Sequence, residues 1–119
     1  ATVLRIVATA GYDDVTEISF DDGQWEVEAV KNDQPLEIHL HARTGKVLTE
    51  QADEAHDRLP GGALSLREIV GLLEVSGYTR IKKADFHGAQ WEVEAFREGS
   101  WRELIVDSIG KVISDRLDD

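Results

Sequence analysis

Cysteine and methionine are both missing from this 119-residue chain, and proline occurs only twice. Without cysteine there is no disulfide framework, no thiolate metal site and no cysteine nucleophile. Without methionine there is no initiator, so Ala1 is expected to be a processed or trimmed end, with any export leader already removed. Positive charge is scarce: 13 Lys and Arg stand against 24 Asp and Glu, a net charge of −11. A surface that negative argues against nucleic acid and anionic lipid, which both need a basic footprint. It leaves room for a basic protein partner or for cations. No apolar run approaches the roughly 18 residues that a membrane-spanning helix needs. What the chain does contain, 41% hydrophobic and 31% charged residues, suits a soluble globular protein of one ordinary domain or two very small ones.

The chain repeats itself at an offset of 66 residues. Over residues 11–42 and 77–108, ten of 32 aligned positions are identical. Six of these are consecutive, Gln24 to Ala29 and Gln90 to Ala95, both reading QWEVEA. After one skipped residue near Thr44, Gly45-Lys46-Val47 aligns with Gly110-Lys111-Val112. Such self-similarity marks a duplicated unit.

Each copy has the same plan. Ser65 and Glu68 form a capping box ahead of Leu66, Ile69, Val70 and Leu73 at helical spacing, and Gly77 supplies the left-handed stop. Val3, Leu4, Ile6 and Val7 before Gly11 read as the equivalent helix, whose cap would fall ahead of Ala1. Short strands are expected over Val15–Phe20 and Ile81–Phe86. Trp25, Val27 and Ala29 then alternate with polar neighbours, as do Leu36, Ile38 and Leu40, around an Asn32-Asp33 turn; Glu98-Gly99 is its counterpart. That turn sets Glu28 opposite Glu37, Glu26 opposite His39 and Trp25 opposite Leu40. In the second copy Phe96 faces Trp101, Glu94 faces Glu103 and Glu92 faces Ile105. Fourth strands are expected at Lys46–Leu48 and Lys111–Ile113. The expected fold is therefore α+β: two tandem repeats, each one helix packed on its own four-stranded antiparallel meander. Repeat one spans 1–49, a linker 50–62 ends in Pro60-Gly61-Gly62, and repeat two spans 63–119.

The order Gly11-Tyr12, Trp25-Glu26-Val27-Glu28, then Thr44-Gly45-Lys46-Val47-Leu48 resembles the PepSY domain. Gly77-Tyr78, Trp91-Glu92-Val93-Glu94 and Gly110-Lys111-Val112 repeat it, with Ile109 where threonine is usual. The resemblance implies a fold like that of the beta-lactamase inhibitor protein. It further implies a non-catalytic, exported module, periplasmic or secreted, that binds or inhibits a peptidase or another envelope protein. It brings no catalytic residues and no cofactor. A sensory or structural domain cut from a longer envelope protein is a further alternative.

The residues themselves agree on catalysis. There is no G-x-S-x-G elbow, no H-E-x-x-H and no phosphate-cradling glycine loop, and no spacing singles out a Ser-His-Asp set. Two other constellations stand out. His39 and His41 share a strand face with Glu37, and Glu26 lies across from His39, a donor set that suits zinc or copper; the competing reading is a solvated strand face. In the second copy Ile105 and Asp107 take the histidine positions. Phe96, Trp101 and Ile105 lie on the polar side of their hairpin, flanked by Glu92, Glu94 and Glu103. They form either a protein-contact patch, whose carboxylates steer a basic partner, or a surface packed on the other repeat. The facing pairs Glu28/Glu37 and Glu94/Glu103 ask for compensation, with Lys46, Lys83 and Lys111 as candidates. Trp25 and Trp91 are expected in the core, Tyr12 and Tyr78 at the helix-to-strand corners. His56 and His87 stand apart from these patterns.

Overall fold

The computed structural model describes residues 2–53 and 59–118; His56 lies outside them. Helix α1 (Thr2–Thr9) precedes β1 (Asp13–Asp21), β2 (Gln24–Lys31), β3 (Gln34–His41) and β4 (Val47–Ala52). Helix α2 (Leu66–Val75) precedes β5 (Arg80–His87), β6 (Gln90–Arg97), β7 (Ser100–Asp107) and β8 (Val112–Leu117). The fourth strands run longer than their Gly-Lys starts suggest, and β4 takes up the first residues expected as linker.

The eight strands form one antiparallel sheet in the order β4-β3-β2-β1-β5-β6-β7-β8. This corrects the expectation of two separate helix-plus-four-strand sheets. The two meanders meet edge to edge through Glu17↔Asp85, Ile18↔Ala84 and Ser19↔Lys83. The physical reason is the edge itself. A lone four-stranded meander leaves two rows of unpaired N–H and C=O groups, and joining β1 to β5 removes one from each. Alternation within a strand cannot show this, because it fixes which face is buried and not which edge finds a partner.

The hairpin registers follow from their turns. Asn32 and Asp33 both have positive φ, and Glu28↔Glu37, Glu26↔His39 and Phe96↔Trp101 pair as the turn positions require. Both helices pack on the same sheet face, and a single core cluster includes Val7, Ile69 and Leu73 from the helices with Ile18, Ile38, Trp91 and Leu104 from the strands. The capping box forms: Glu68 N–H donates to Ser65 Oγ at 3.2 Å and Ser65 N–H donates to Glu68 Oε1 at 2.9 Å. At the helix ends Gly11 and Gly77 adopt φ of 93° and 97°, a conformation that a side chain disfavours. The reversal lets Tyr12 N–H and Tyr78 N–H donate to Val7 and Leu73 carbonyls.

Both tyrosines are buried, and both hydroxyls reach an edge strand: Tyr12 donates to Glu50 on β4 and Tyr78 to Asp115 on β8. A cation covers each ring, Lys31 at 4.8 Å and Arg97 at 5.1 Å. These two latches tie the helix C-termini across the helix-bearing face to the outermost strands.

Ile18 is fully buried at the junction of the two meanders. Ile18→Ala is expected to cost about 2–5 kcal/mol. Urea unfolding followed by tryptophan fluorescence and by circular dichroism should give one coincident transition in both proteins. Two separated transitions in the wild type would mean that the halves fold independently.

Candidate functional site

The face without helices carries an unusual line of charge. Gln51, Glu37, Glu28, Glu17, Asp85, Glu92, Ile105 and Ser114 stand in register from one sheet edge to the other. Five neighbouring strands thus present a carboxyl group side by side, where like charges are unfavourable. The two halves relieve this differently.

In the second half, basic side chains stand against the next row of carboxylates. Lys82 Nζ lies 3.9 Å from Glu94, and Arg116 Nη2 lies 3.0 Å from Glu103. Of the lysines singled out in the sequence, Lys83 stands in register with Glu94 and, after Lys82, favours its charged form. In the first half, none of Glu17, Glu26, Glu28 and Glu37 pairs with a lysine or arginine among the described residues, and protons take over. Glu28 is pushed up to about 10, first by its hydrogen bond with Glu17, then by burial and by Asp53. Burial followed by the neighbouring Glu37 raises Glu26. Burial followed by Glu17 and Glu92 raises Asp85. Gln51 Nε2 donates to Glu37 at 3.0 Å.

His39 is the base that stands among these carboxyls. Its Nε2 lies 3.3 Å from Glu37 and 3.9 Å from Glu26, and the three donor atoms fall within 4.8 Å of one another. Of the four residues expected to ligate together, His41 is not brought in. Its Nδ1 accepts from the backbone N–H groups of Arg43 and Thr44 at 3.2 and 3.3 Å, which holds the turn.

Phe96 and Trp101 meet as expected, edge to face at 5.4 Å. They are half-buried, as is Ile105. What covers them is neither the other half nor a carboxylate rim. Arg80 stacks over Phe96 at 4.5 Å and over Trp101 at 5.5 Å, and Lys82 sits 4.4 Å above Trp101.

Trp101 also borders a feature invisible in the sequence. Beyond Ser19 and Lys83 the strands β1 and β5 pair no further, and a cleft of about 410 Å³ opens between them. Phe20, Trp25, Val70 and Ile81 line it, with Arg80 and Lys82 at its margin. Trp25 is thus only half-buried, against the expectation of a core residue, and meets Phe20 edge to face at 5.3 Å. The missed signal is the length of the β1–β5 pairing, which no local pattern encodes.

Residues 1–51 match the PepSY family model described as "Peptidase propeptide and YPEB domain". The first part of the chain is thus similar to a PepSY-type domain. The fold comparison extends further: a solved Clostridium difficile 630 protein, assigned as a lipoprotein, superposes with a TM-score of 0.51 over 97% of this chain and 88% of its own. At 13% identity that likeness is one of fold. No curated protein matches the chain. The PepSY match is to a propeptide-type family and not to an enzyme family, and among the described residues no helix is long and apolar enough to cross a membrane.

The proton-sharing carboxyls make a pH prediction. Glu28 has its folded-state value raised far above the ordinary 4.5. Its contribution to stability is therefore complete below about pH 4.5 and declines as pH rises towards 10. Glu26 and Asp85, raised in the same direction, add to the decline. Glu28→Gln keeps a hydrogen-bond donor without the charge. It should flatten the fall of the urea midpoint between pH 5 and 9, and at pH 8 raise stability by up to about 1 kcal/mol. A midpoint that climbs with pH across that range would contradict the shared-proton arrangement.

Proposed function

We propose that the protein is a non-catalytic binding module of the cell envelope that engages a protein partner, with a peptidase the foremost candidate. The observation that carries this reading is the Phe96–Trp101 pair beside Ile105 on the helix-free sheet face. Large aromatic side chains on an open face supply contact area at low conformational cost, the composition of interface anchors. Glu92, Glu94 and Glu103 flank this strip. Because Lys82 and Arg116 already engage Glu94 and Glu103, the exposed Glu92 is the carboxylate left to meet a partner. The PepSY match supports a peptidase partner through its propeptide description, and the lipoprotein assignment of the similar structure supports export to the envelope or beyond. Export implies a signal peptide.

A second reading has its own observation, the convergence of His39, Glu26 and Glu37. Three donors from adjacent strands offer an open coordination site of the kind that zinc or copper accepts. Under this reading the module handles metal.

The two readings separate in paired experiments. Wild-type, Trp101→Ala and His39→Ala proteins are immobilised and exposed to the source's envelope fraction. A protein retained by wild type and by His39→Ala, and bound about 2 kcal/mol more weakly by Trp101→Ala, supports the partner reading. Equal retention by all three would remove the aromatic strip from consideration. Zinc and copper titrations by calorimetry complete the test: a stoichiometric site tighter than about 1 μM, lost in His39→Ala, would favour metal handling.

A further inference from the structure

We propose that the cleft between β1 and β5 receives an extended peptide segment that carries a large apolar side chain next to a carboxylate. The inference rests on the reading of the chain as a protein-binding module, and adds the chemistry of what is bound.

The duplication supplies an internal control. Phe20 and Trp25 correspond to Phe86 and Trp91, and both pairs meet edge to face, at 5.3 Å and 5.1 Å. The environments differ. Phe86 and Trp91 are 6% and 0% exposed, whereas Phe20 is 44% exposed. At the start of β1, the end of that strand away from the cleft, the chain's own connector runs alongside. Leu59 packs on the core, and Leu59 and Pro60 stand beside Asp13, Asp14 and Val30. The corresponding residues at the open cleft are Thr79, Arg80 and Phe96. A connector turn, closed by Ala63 N–H donating to the Pro60 carbonyl at 3.1 Å, thus borders one side of the pseudo-symmetric sheet, and no connector among the described residues borders the other.

The charge at the two places is opposite. Asp13 and Asp14 border the connector; Thr79 and Arg80 border the cleft. Arg80 lies over the Phe96 and Trp101 rings and makes no ion pair among the described residues. Lys82 stands beside it, shared with Glu94 and Asp118 at 3.9 and 4.0 Å. Glu74, on the last turn of α2, is the one acidic residue among those lining the cleft. A guanidinium held by aromatic faces keeps its hydrogen-bonding edge free for a carboxylate. In a chain of net charge −11, a cleft margin with two cations selects an acidic segment.

The backbone favours an extended ligand. Phe20 and Asp21 on β1, and Arg80 to Lys82 on β5, lie past the last β1–β5 pair. The facing edges are therefore open to main-chain hydrogen bonds from an added strand. Its apolar side chain would meet Phe20 and Trp25, and its carboxylate would meet Arg80.

End-capped octapeptides with a central Leu-Glu, Leu-Lys or Ser-Glu pair, and decanoate as a non-peptide amphiphile, test this by tryptophan fluorescence titration of the full chain. Wild type should bind Leu-Glu about tenfold more tightly than either of the other peptides, and Arg80→Glu should reverse the preference to Leu-Lys. Arg80 is exposed, so the variant should fold; a Phe20→Ser variant should weaken all peptides alike. Hydrogen exchange should slow at Phe20, Asp21 and Arg80 to Lys82 when Leu-Glu is bound. Equal affinity for the three peptides, or saturable binding of decanoate alone, overturns the inference. An envelope partner retained equally by wild type and Arg80→Glu overturns it too, yet leaves the binding-module reading standing. No peptide bound and no partner retained would end both.

Discussion

Three residue pairs between β1 and β5 decide the architecture. They are short enough to be a weak seam by length, yet they convert two four-stranded meanders into one sheet with two edges instead of four. The seam also fixes where both helices go. Once Ile18 and Ala84 face each other on the buried side, the apolar faces of the two halves are continuous, and α1 and α2 must share them. Outside its three pairs the two strands diverge, because each sheet strand is twisted and each first strand carries an irregularity, between Asp13 and Glu17 in one and between Ile81 and Lys83 in the other. The cleft is the direct consequence of that divergence.

The same seam brings acid against acid. Glu17 and Asp85 pair across it, extending a charge problem that each hairpin already has. Coulomb repulsion between half-buried carboxylates can be relieved by a cation, by a proton or by solvent. The second half uses Lys82 and Arg116. The first half uses protons shared among Glu17, Glu28 and Asp53. Among the described residues the lysine and arginine partners therefore stand in the second half of the helix-free face, whereas raised carboxyls occur in both, Glu26 and Glu28 in one and Asp85 and Glu94 in the other, although the two halves descend from one repeated pattern.

Much of this was legible beforehand, for reasons that can be named. Hairpin pairing was readable because a two-residue turn fixes every later pair, so Glu28 against Glu37 and Phe96 against Trp101 followed from counting. The cap at Ser65 was readable because its partner is three residues away. The single sheet was not readable, since the residues that join at the seam are 64 to 68 apart and carry no matching signal. The environment of Trp25 was misjudged for the same reason: the QWEVEA segment is identical in both copies, and burial is set by what lies across the seam. His41 shares the strand face of His39, but its ring is claimed by the adjacent turn, a contact that residue types alone do not disclose. The latches from Tyr12 to Glu50 and from Tyr78 to Asp115 could have been suspected, because the one-residue skip that aligns Gly45 with Gly110 also aligns Glu50 with Asp115.

That alignment shows where the copies were free to differ. The elements that close the fold recur: the glycine that ends each helix, the tyrosine latch, the cation over its ring, and the phenylalanine–tryptophan pair. The elements that differ gather where the fold demands least, at the flanks of the seam. Asp13, Asp14, Val30 and Pro35 on one side become Thr79, Arg80, Phe96 and Trp101 on the other. Packing cannot be the cause, since Val30 is buried at its position whereas Phe96 needs the stacked Arg80 to cover it. A guanidinium laid over two rings leaves part of the apolar area in water and uses a long side chain to shield the rest, an arrangement that loses side-chain entropy and gains less burial than a leucine would. Its physical advantage lies in what it presents outward: a flat, fixed positive charge beside an open aromatic cleft. Stability alone would have sealed both sides of the seam alike.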